Sequence, residues 1–143
     1  MQKTDPAMPS ALLVEDHASM RATLRMWLAD LAAPITECDN GLDVCSCYAV
    51  HQPDWVLMDI DLPGQDGITA TRELIAANPS ARVLIVTGHP DADLRRAAAA
   101  AGARGYVLKD NLPELRHWFQ ATNADDRRNT SQHNPREQKG TDR

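Results

Sequence analysis

Four short apolar runs in this 143-residue chain stop at residues able to do chemistry. Ala11–Val14 runs into Glu15 and Asp16, and Trp55–Met58 into Asp59. Arg82–Val86 leads to Thr87, and Gly105–Leu108 to Lys109. Brought together, the three carboxylates would repel one another and raise some of their pKa values. A hard divalent cation resolves that conflict. Mg²⁺ prefers oxygen ligands, takes one or two carboxylates and keeps waters, leaving room for a phosphoryl oxygen. Thr87 can donate a hydrogen bond to a second phosphoryl oxygen, and Lys109 can bind as a point charge. The set fits an anion held between metal, ammonium and hydroxyl, with an aspartate as nucleophile. Singly, each residue has an ordinary structural role. Glu15-Asp16 could be a solvated strand end, Asp59 a helix or turn cap, Thr87 a strand residue and Lys109 a snorkelling surface lysine. Chemistry requires that they converge.

The elements between them provide for convergence. Apolar residues at Met20, Leu24, Trp27, Leu28 and Leu31 predict a helix over Ser19–Leu31, with Pro34 at its exit. Ile35–Cys38 reads as a weak second strand. A helical stretch follows from the Asn40-Gly41 turn to Val50, before Pro53. Helices are expected over Gly67–Ala77, stopped by Asn78-Pro79, and over Asp91–Ala101 with Gly102 as C-cap. A last helix is expected from Leu112 to about Ala121, with Pro113 in its first turn. Strands alternating with helices mean an α/β fold, a (βα)5 doubly wound parallel sheet. Unbroken apolar runs fit strands buried on both faces. In such a sheet the carboxyl ends of the strands share one edge, where ligands bind.

Composition narrows the class. Hydrophobic residues make up 43% and charged residues 24%, a globular balance. A net charge of −5 argues against a mainly electrostatic binder of nucleic acid or membrane. The longest nearly apolar stretch, Ala97–Ala103, is far short of the roughly 20 residues of a membrane span. The polar start lacks the apolar core of a secretion signal, so a cytoplasmic location is expected. Three cysteines, Cys38, Cys45 and Cys47, do not suit a disulfide framework and read as ordinary buried thiols. Residues 1–9 are expected to be a flexible N-terminus, 10–121 a single domain and 122–143 a disordered polar tail. Only Ala124 is apolar in the last twenty residues, and nine of them are charged. Such a tail has no apolar helices for a helix-turn-helix module.

The pattern resembles the receiver domain of two-component response regulators. The matching pieces are Leu13-Val-Glu-Asp16, Val56-Leu-Met-Asp-Ile-Asp-Leu-Pro-Gly64 with Asp66-Gly67, Val86-Thr-Gly88 and Gly102-Ala-Arg-Gly-Tyr-Val-Leu-Lys109. The resemblance implies strand order 2-1-3-4-5, as in flavodoxin-like sheets. It implies Asp59 as phosphoacceptor and Mg²⁺ as cofactor, held directly by Asp16 and Asp59, through water by Glu15, and by the backbone carbonyl of Asp61. Thr87 and Lys109 would hold the phosphoryl group, and Tyr106 would be an aromatic switch that turns inward as Thr87 moves. Asp61 and His89 would flank the phosphoryl group and tune its hydrolysis. Lysine is often followed by proline through a cis bond in this family; here Asp110 follows. The Lys-Asp variant is similar to receivers attached to helix-turn-helix output domains.

The expected function is therefore phosphoryl acceptance from a histidine kinase or histidine phosphotransfer protein. A downstream protein would bind the face made by the fourth helix, fifth strand and fifth helix. A shuttle or phosphate sink without its own output is the alternative. An aspartate-nucleophile phosphatase, which needs an acid two residues past the nucleophile, could use Asp61. The Glu15-Asp16 pair, Thr87-Gly88 and the run to Lys109 favour the receiver, which turns over nothing beyond its own phosphate. Of Trp118 and Phe119, one is expected to be largely exposed, because helical neighbours diverge.

Overall fold

The structure, a computed structural model, describes residues 8–120. The readings for residues 1–7 of the N-terminus and for the 122–143 tail lie outside them. Five strands, β1 (Ala11–Val14), β2 (Ile35–Cys38), β3 (Trp55–Met58), β4 (Val83–Thr87) and β5 (Gly105–Leu108), form one parallel sheet in the order β2-β1-β3-β4-β5. Between them run α1 (Ala18–Leu28), α2 (Val44–His51), α3 (Gly67–Ala77) and α4 (Ala92–Ala101). A short 3₁₀ turn, Lys109–Asn111, leads to α5 over 114–120. The expected fold and strand order both hold.

Alternation within the apolar runs builds two cores. Leu12, Val14, Val56, Met58, Val83 and Ile85 face α2, α3 and α4. Ala11, Leu13, Trp55, Leu57, Leu84, Val86 and Val107 face α1 and α5, meeting Leu24, Leu28, Leu115 and Phe119. Every residue of β1, β3 and β4 is buried, as central strands covered on both sides require. β2 is the half-exposed edge.

Helix limits follow local chemistry. Asp66 caps α3: its carboxylate accepts from the backbone N–H groups of Ile68 and Thr69 at 2.9 Å each and from the Thr69 hydroxyl at 2.8 Å. Gly102 closes α4 in the left-handed region, with φ of 106°. Elsewhere the structure corrects the expectations. α1 ends at Leu28, not Leu31. Leu31 and Ala32 stay buried because both backbone N–H groups turn back to the Leu28 carbonyl. Trp27 is 41% exposed, not core, since Leu24 and Leu28 already fill the buried stripe. α2 starts at Val44, after a loop in which Gly41 lies against the backbone of Gln65. Cys45 is exposed and Cys47 half-buried; only Cys38 is a buried thiol, pushed up to about 12 mainly by burial. α5 begins after Pro113. Neither Trp118 nor Phe119 is largely exposed. Phe119 is buried, and the Trp118 ring lies over Gly105, where a Cβ would come within 2.3 Å of it.

The Asp66 cap carries a pH signature. Desolvation raises its carboxyl, but the bonds from Thr69 and Ile68 outweigh it and hold the group below its ordinary 3.8. A lowered native pKa contributes stability that is present above the unfolded pKa and lost as pH falls through the native one. Asp66→Ala should cost about 1 kcal/mol at neutral pH. Urea denaturation at pH 7 and again below about 3.5 should show the gap narrowing in acid.

Candidate functional site

Register sets the site. Val14 pairs with Met58, and Met58 with Ile85, so Glu15 and Asp59 emerge side by side at the end of adjacent strands. The Asp59 N–H donates to the Val14 carbonyl and the Glu15 N–H to that of Cys38, both at 3.0 Å, which fixes both backbones. Thr87 pairs with Leu108, so Lys109 leaves β5 just past the Thr87 level. Each strand ends where a carboxylate, hydroxyl or ammonium begins.

The centre of the site is an ion triad. Lys109 Nζ lies 2.9 Å from Glu15 Oε1 and 3.3 Å from Asp59 Oδ1. Glu15 is 1% exposed and Asp59 3%. Burial, then the Glu15 charge, push the Asp59 carboxyl above its ordinary value against the pull of Lys109. Burial alone would lower the Lys109 ammonium; the hydrogen bond to Glu15 and the Asp59 charge outweigh it and raise the group. Asp16 stands on the solvent side, beside His17, whose Nδ1 is 3.4 Å from Asp16 Oδ1 and 3.1 Å from Glu15 Oε2. The buried Asp16 Oδ1 has no hydrogen-bond partner, and Glu15 Oε1 and Asp59 Oδ1 share the single Lys109 ammonium. Such under-satisfied buried oxygens fit a divalent cation.

The remaining predicted residues surround this triad. Thr87 is fully buried, and its hydroxyl oxygen accepts from the His89 N–H at 3.3 Å, which leaves the hydroxyl hydrogen to donate. His89 Nε2 lies 2.6 Å from Asp61 Oδ2, so the two residues expected to flank a phosphoryl group hold each other. Tyr106 is buried with its hydroxyl donating to the His89 carbonyl at 2.8 Å, and the Arg95 guanidinium sits 4.5 Å from its ring centroid. The ring is already turned inward. The Lys109–Asp110 peptide is trans; the cis bond among the described residues is Ala33–Pro34.

Two contributors escaped sequence reading. His17 closes the acidic cluster; its signal was adjacency to Glu15-Asp16. Arg21 donates to the Glu15 carbonyl at 2.8 Å and pairs with Glu37 at 3.2 Å, a cross-element contact that leaves no local pattern. Gly67, quoted in the motif without a role, lies against the Asp59 backbone, for a Cβ there would lie 1.9 Å from the Asp59 carbonyl oxygen. Glycine as the first residue of a helix, where it is a poor former, was the available signal.

The description "response regulator receiver domain" matches residues 11–120. The chain belongs to the response regulator receiver family. Among curated relatives, the chemotaxis protein CheY of Halobacterium salinarum is 36% identical over 98 residues, covering 68% of this chain and 82% of its own. The uncharacterized transcriptional regulatory protein YhcZ of Bacillus subtilis is 33% identical over 105 residues, covering 72% of this chain. This receiver spans about half the length of YhcZ, 49%. A solved two-component response regulator of the LuxR family from Aurantimonas sp. SI85-9A1 superposes with a TM-score of 0.76 at 33% identity, over 82% of this chain and 86% of that one. The chain is thus a receiver domain of a two-component system. Among the described residues, no helix is long and apolar enough to cross a membrane.

The contact at Gly67 makes a direct prediction for this receiver. A methyl group there must displace Asp59 or the start of α3, an overpacking cost of about 2–3 kcal/mol. Gly67→Ala should lower the urea midpoint accordingly, while Gly88→Ala, with open space around the added Cβ, should change it little.

Proposed function

We propose that this receiver accepts a phosphoryl group on Asp59 from the phosphohistidine of a histidine kinase or phosphotransfer protein. It then signals by altering which protein it binds. The observation that carries this reading is the placement of the Lys109 ammonium 3.3 Å from a buried Asp59 carboxylate at the end of the central strand β3. An Asp59 oxygen attacks phosphorus, the P–N bond of the donor breaks, and its electron pair stays with the departing imidazole. Lys109 offsets charge gathering at Asp59, and the Thr87 hydroxyl donates to a phosphoryl oxygen. Asp16, Asp59, Glu15 and the Asp61 carbonyl would hold Mg²⁺, whose positive charge would neutralise that of the phosphoryl oxygens.

The same geometry supports a route outward. Glu15 and a phosphorylated Asp59 would compete for one ammonium. Any displacement of Thr87 toward the phosphoryl group would draw on the His89 backbone, which Tyr106 holds by its hydroxyl. Tyr106 lines a groove of about 280 Å³ with Arg95, Ala98, Glu114 and Trp118, on the face of α4, β5 and α5. This is the face we assign to the downstream partner. Because YhcZ is named a transcriptional regulatory protein, an output of that kind in a longer chain is compatible with this role. The reaction is self-phosphorylation and self-dephosphorylation, without turnover of an outside substrate: the Asp61 carboxylate that a phosphatase would need as acid is engaged by His89.

With Mg²⁺ and a small phosphodonor, the protein should gain one base-labile phosphoryl group by intact mass, and Asp59→Asn should gain none. Phosphate on serine or threonine would sink the mechanism. The lifetime of the phosphoryl group is a separate readout. His89→Ala removes the imidazole that can hold the attacking water, and should slow decay of the phosphorylated protein roughly threefold. Unchanged decay would confine His89 to its contact with Asp61.

A further inference from the structure

Two of the three cysteines meet beside the edge strand. Cys38 ends β2 and is 6% exposed, while Cys47 lies on α2, half-buried and packed against the same core cluster. The Cys47 thiol is a hydrogen-bond partner of the Cys38 thiol, and Cys38 Sγ also donates to the Asn40 carbonyl at 3.3 Å. Cys45, two residues earlier on α2, is exposed, as neighbours two apart on a helix diverge. Cys38 and Cys47 both line a cavity of about 290 Å³, with Arg21, Glu37, Asp39 and Asp43 as its other walls. Asp39 and Asp43 are exposed, so the cavity opens to solvent. Paired thiols and an opening that reaches both of them coincide at one place.

Burial decides which sulfur reacts first. It pushes the Cys38 thiol up to about 12, so this sulfur carries almost no thiolate. Cys47 is the less buried of the two and is the entry point. Charge at the opening decides which reagent enters. Glu37 is paired with Arg21 and Arg25, whereas the carboxylates of Asp39 and Asp43 are bonded by the neutral Asn40 amide. Negative charge at a cleft mouth concentrates cations and repels anions.

We propose that Cys38 and Cys47 form a modification site, a dithiol that closes to a reversible intramolecular disulfide by exchange with a small cationic disulfide. The Cys47 thiolate attacks one sulfur of the reagent, whose S–S bond breaks, and the first small thiol leaves with the Cys47 proton. The Cys38 sulfur then attacks Cys47 Sγ. The mixed disulfide breaks, and its electron pair departs with the second small thiol, which takes up the Cys38 proton. Two protein thiols are oxidised and one small disulfide is reduced to two thiols. The bridge fastens to α2 the strand end whose Cys38 carbonyl accepts from the Glu15 N–H at 3.0 Å. Oxidation is thereby recorded one backbone contact away from the acidic pocket.

The test uses the reduced full chain with Cys45→Ser, which removes the exposed competing thiol, and the same chain with Cys47→Ser added. Each is treated at about pH 8 with cystamine, a disulfide bearing two ammonium groups, or with dithiodiglycolate, which bears two carboxylates. Cystamine should remove two hydrogens from Cys45→Ser by intact mass, and dithiothreitol should restore them. Asp-N protease, which cuts before Asp39 and Asp43, should then release the Cys38 and Cys47 peptides joined. Cystamine should react about tenfold faster than dithiodiglycolate at low salt. With Cys47→Ser added, Cys38 should stay a free thiol. A product that stops at one attached cysteamine, two chains linked to each other, or unlinked Cys38 and Cys47 peptides overturns the bridge. Modification of Cys38 in the absence of Cys47 overturns the order of attack, and equal rates with the two reagents overturn selection by charge.

Discussion

One ammonium joins strands that lie three places apart in the sheet. Lys109 leaves β5 and meets Glu15 from β1 and Asp59 from β3. At about 4.8 Å per strand, β1 and β5 stand roughly 14 Å apart, a gap that the long Glu15 and Lys109 side chains close from opposite sides. The contact is nearly dry, which makes it demanding. Buried charges are tolerated only as a set, because removing one partner leaves another uncompensated. Two negative groups therefore share one positive group, and neither is fully served. Burial first, and then that imbalance, raise the Asp59 carboxyl, and the sharing leaves carboxylate oxygens under-satisfied. The parallel sheet and its register exist, in functional terms, to hold this unequal sharing in place.

The loops above the triad translate it into shape. Thr87, His89 and Tyr106 form a chain in which a hydroxyl accepts from one backbone N–H and the carbonyl of that same residue accepts from a phenol. The links pass through the backbone of a single residue, so the Thr87 side and the Tyr106 side cannot move independently. Arg95 over the Tyr106 ring extends the chain to α4. Short connections of this kind suit a two-state element, since packed groups exchange between discrete arrangements.

Much of this was legible in the sequence because buried parallel strands are written as unbroken apolar runs. The residues that end them are few and chemically distinct. Glu15, Asp16, Asp59, Thr87 and Lys109 could be placed on one edge from topology alone, and α3 with its Asn78-Pro79 stop could be bounded to the residue. What failed depended on contacts between distant elements. Periodicity put Trp27 on the buried stripe because it records spacing, not how wide a stripe the sheet can cover. Trp118 was judged against its helical neighbour Phe119, whereas its burial comes from Gly105 on another element. The mutual hold of Asp61 and His89, 28 residues apart, has no local signal at all.

The two close glycine contacts have a consequence for how the chain can change. Gly41 meets the Gln65 carbonyl and Gly67 meets the Asp59 carbonyl, each with a would-be Cβ at 1.9 Å, so the segment between β3 and α3 is gripped at both its ends by backbone against backbone. Between those ends Asp61, Pro63 and Gly64 stand in solvent. The length of the segment is nonetheless not free to change. One residue added or lost between Ile60 and Asp66 would swing the Asp59 carbonyl out of its notch. Insertions and deletions should thus be poorly tolerated along a stretch that, by the exposure of Asp61, Pro63 and Gly64, looks permissive.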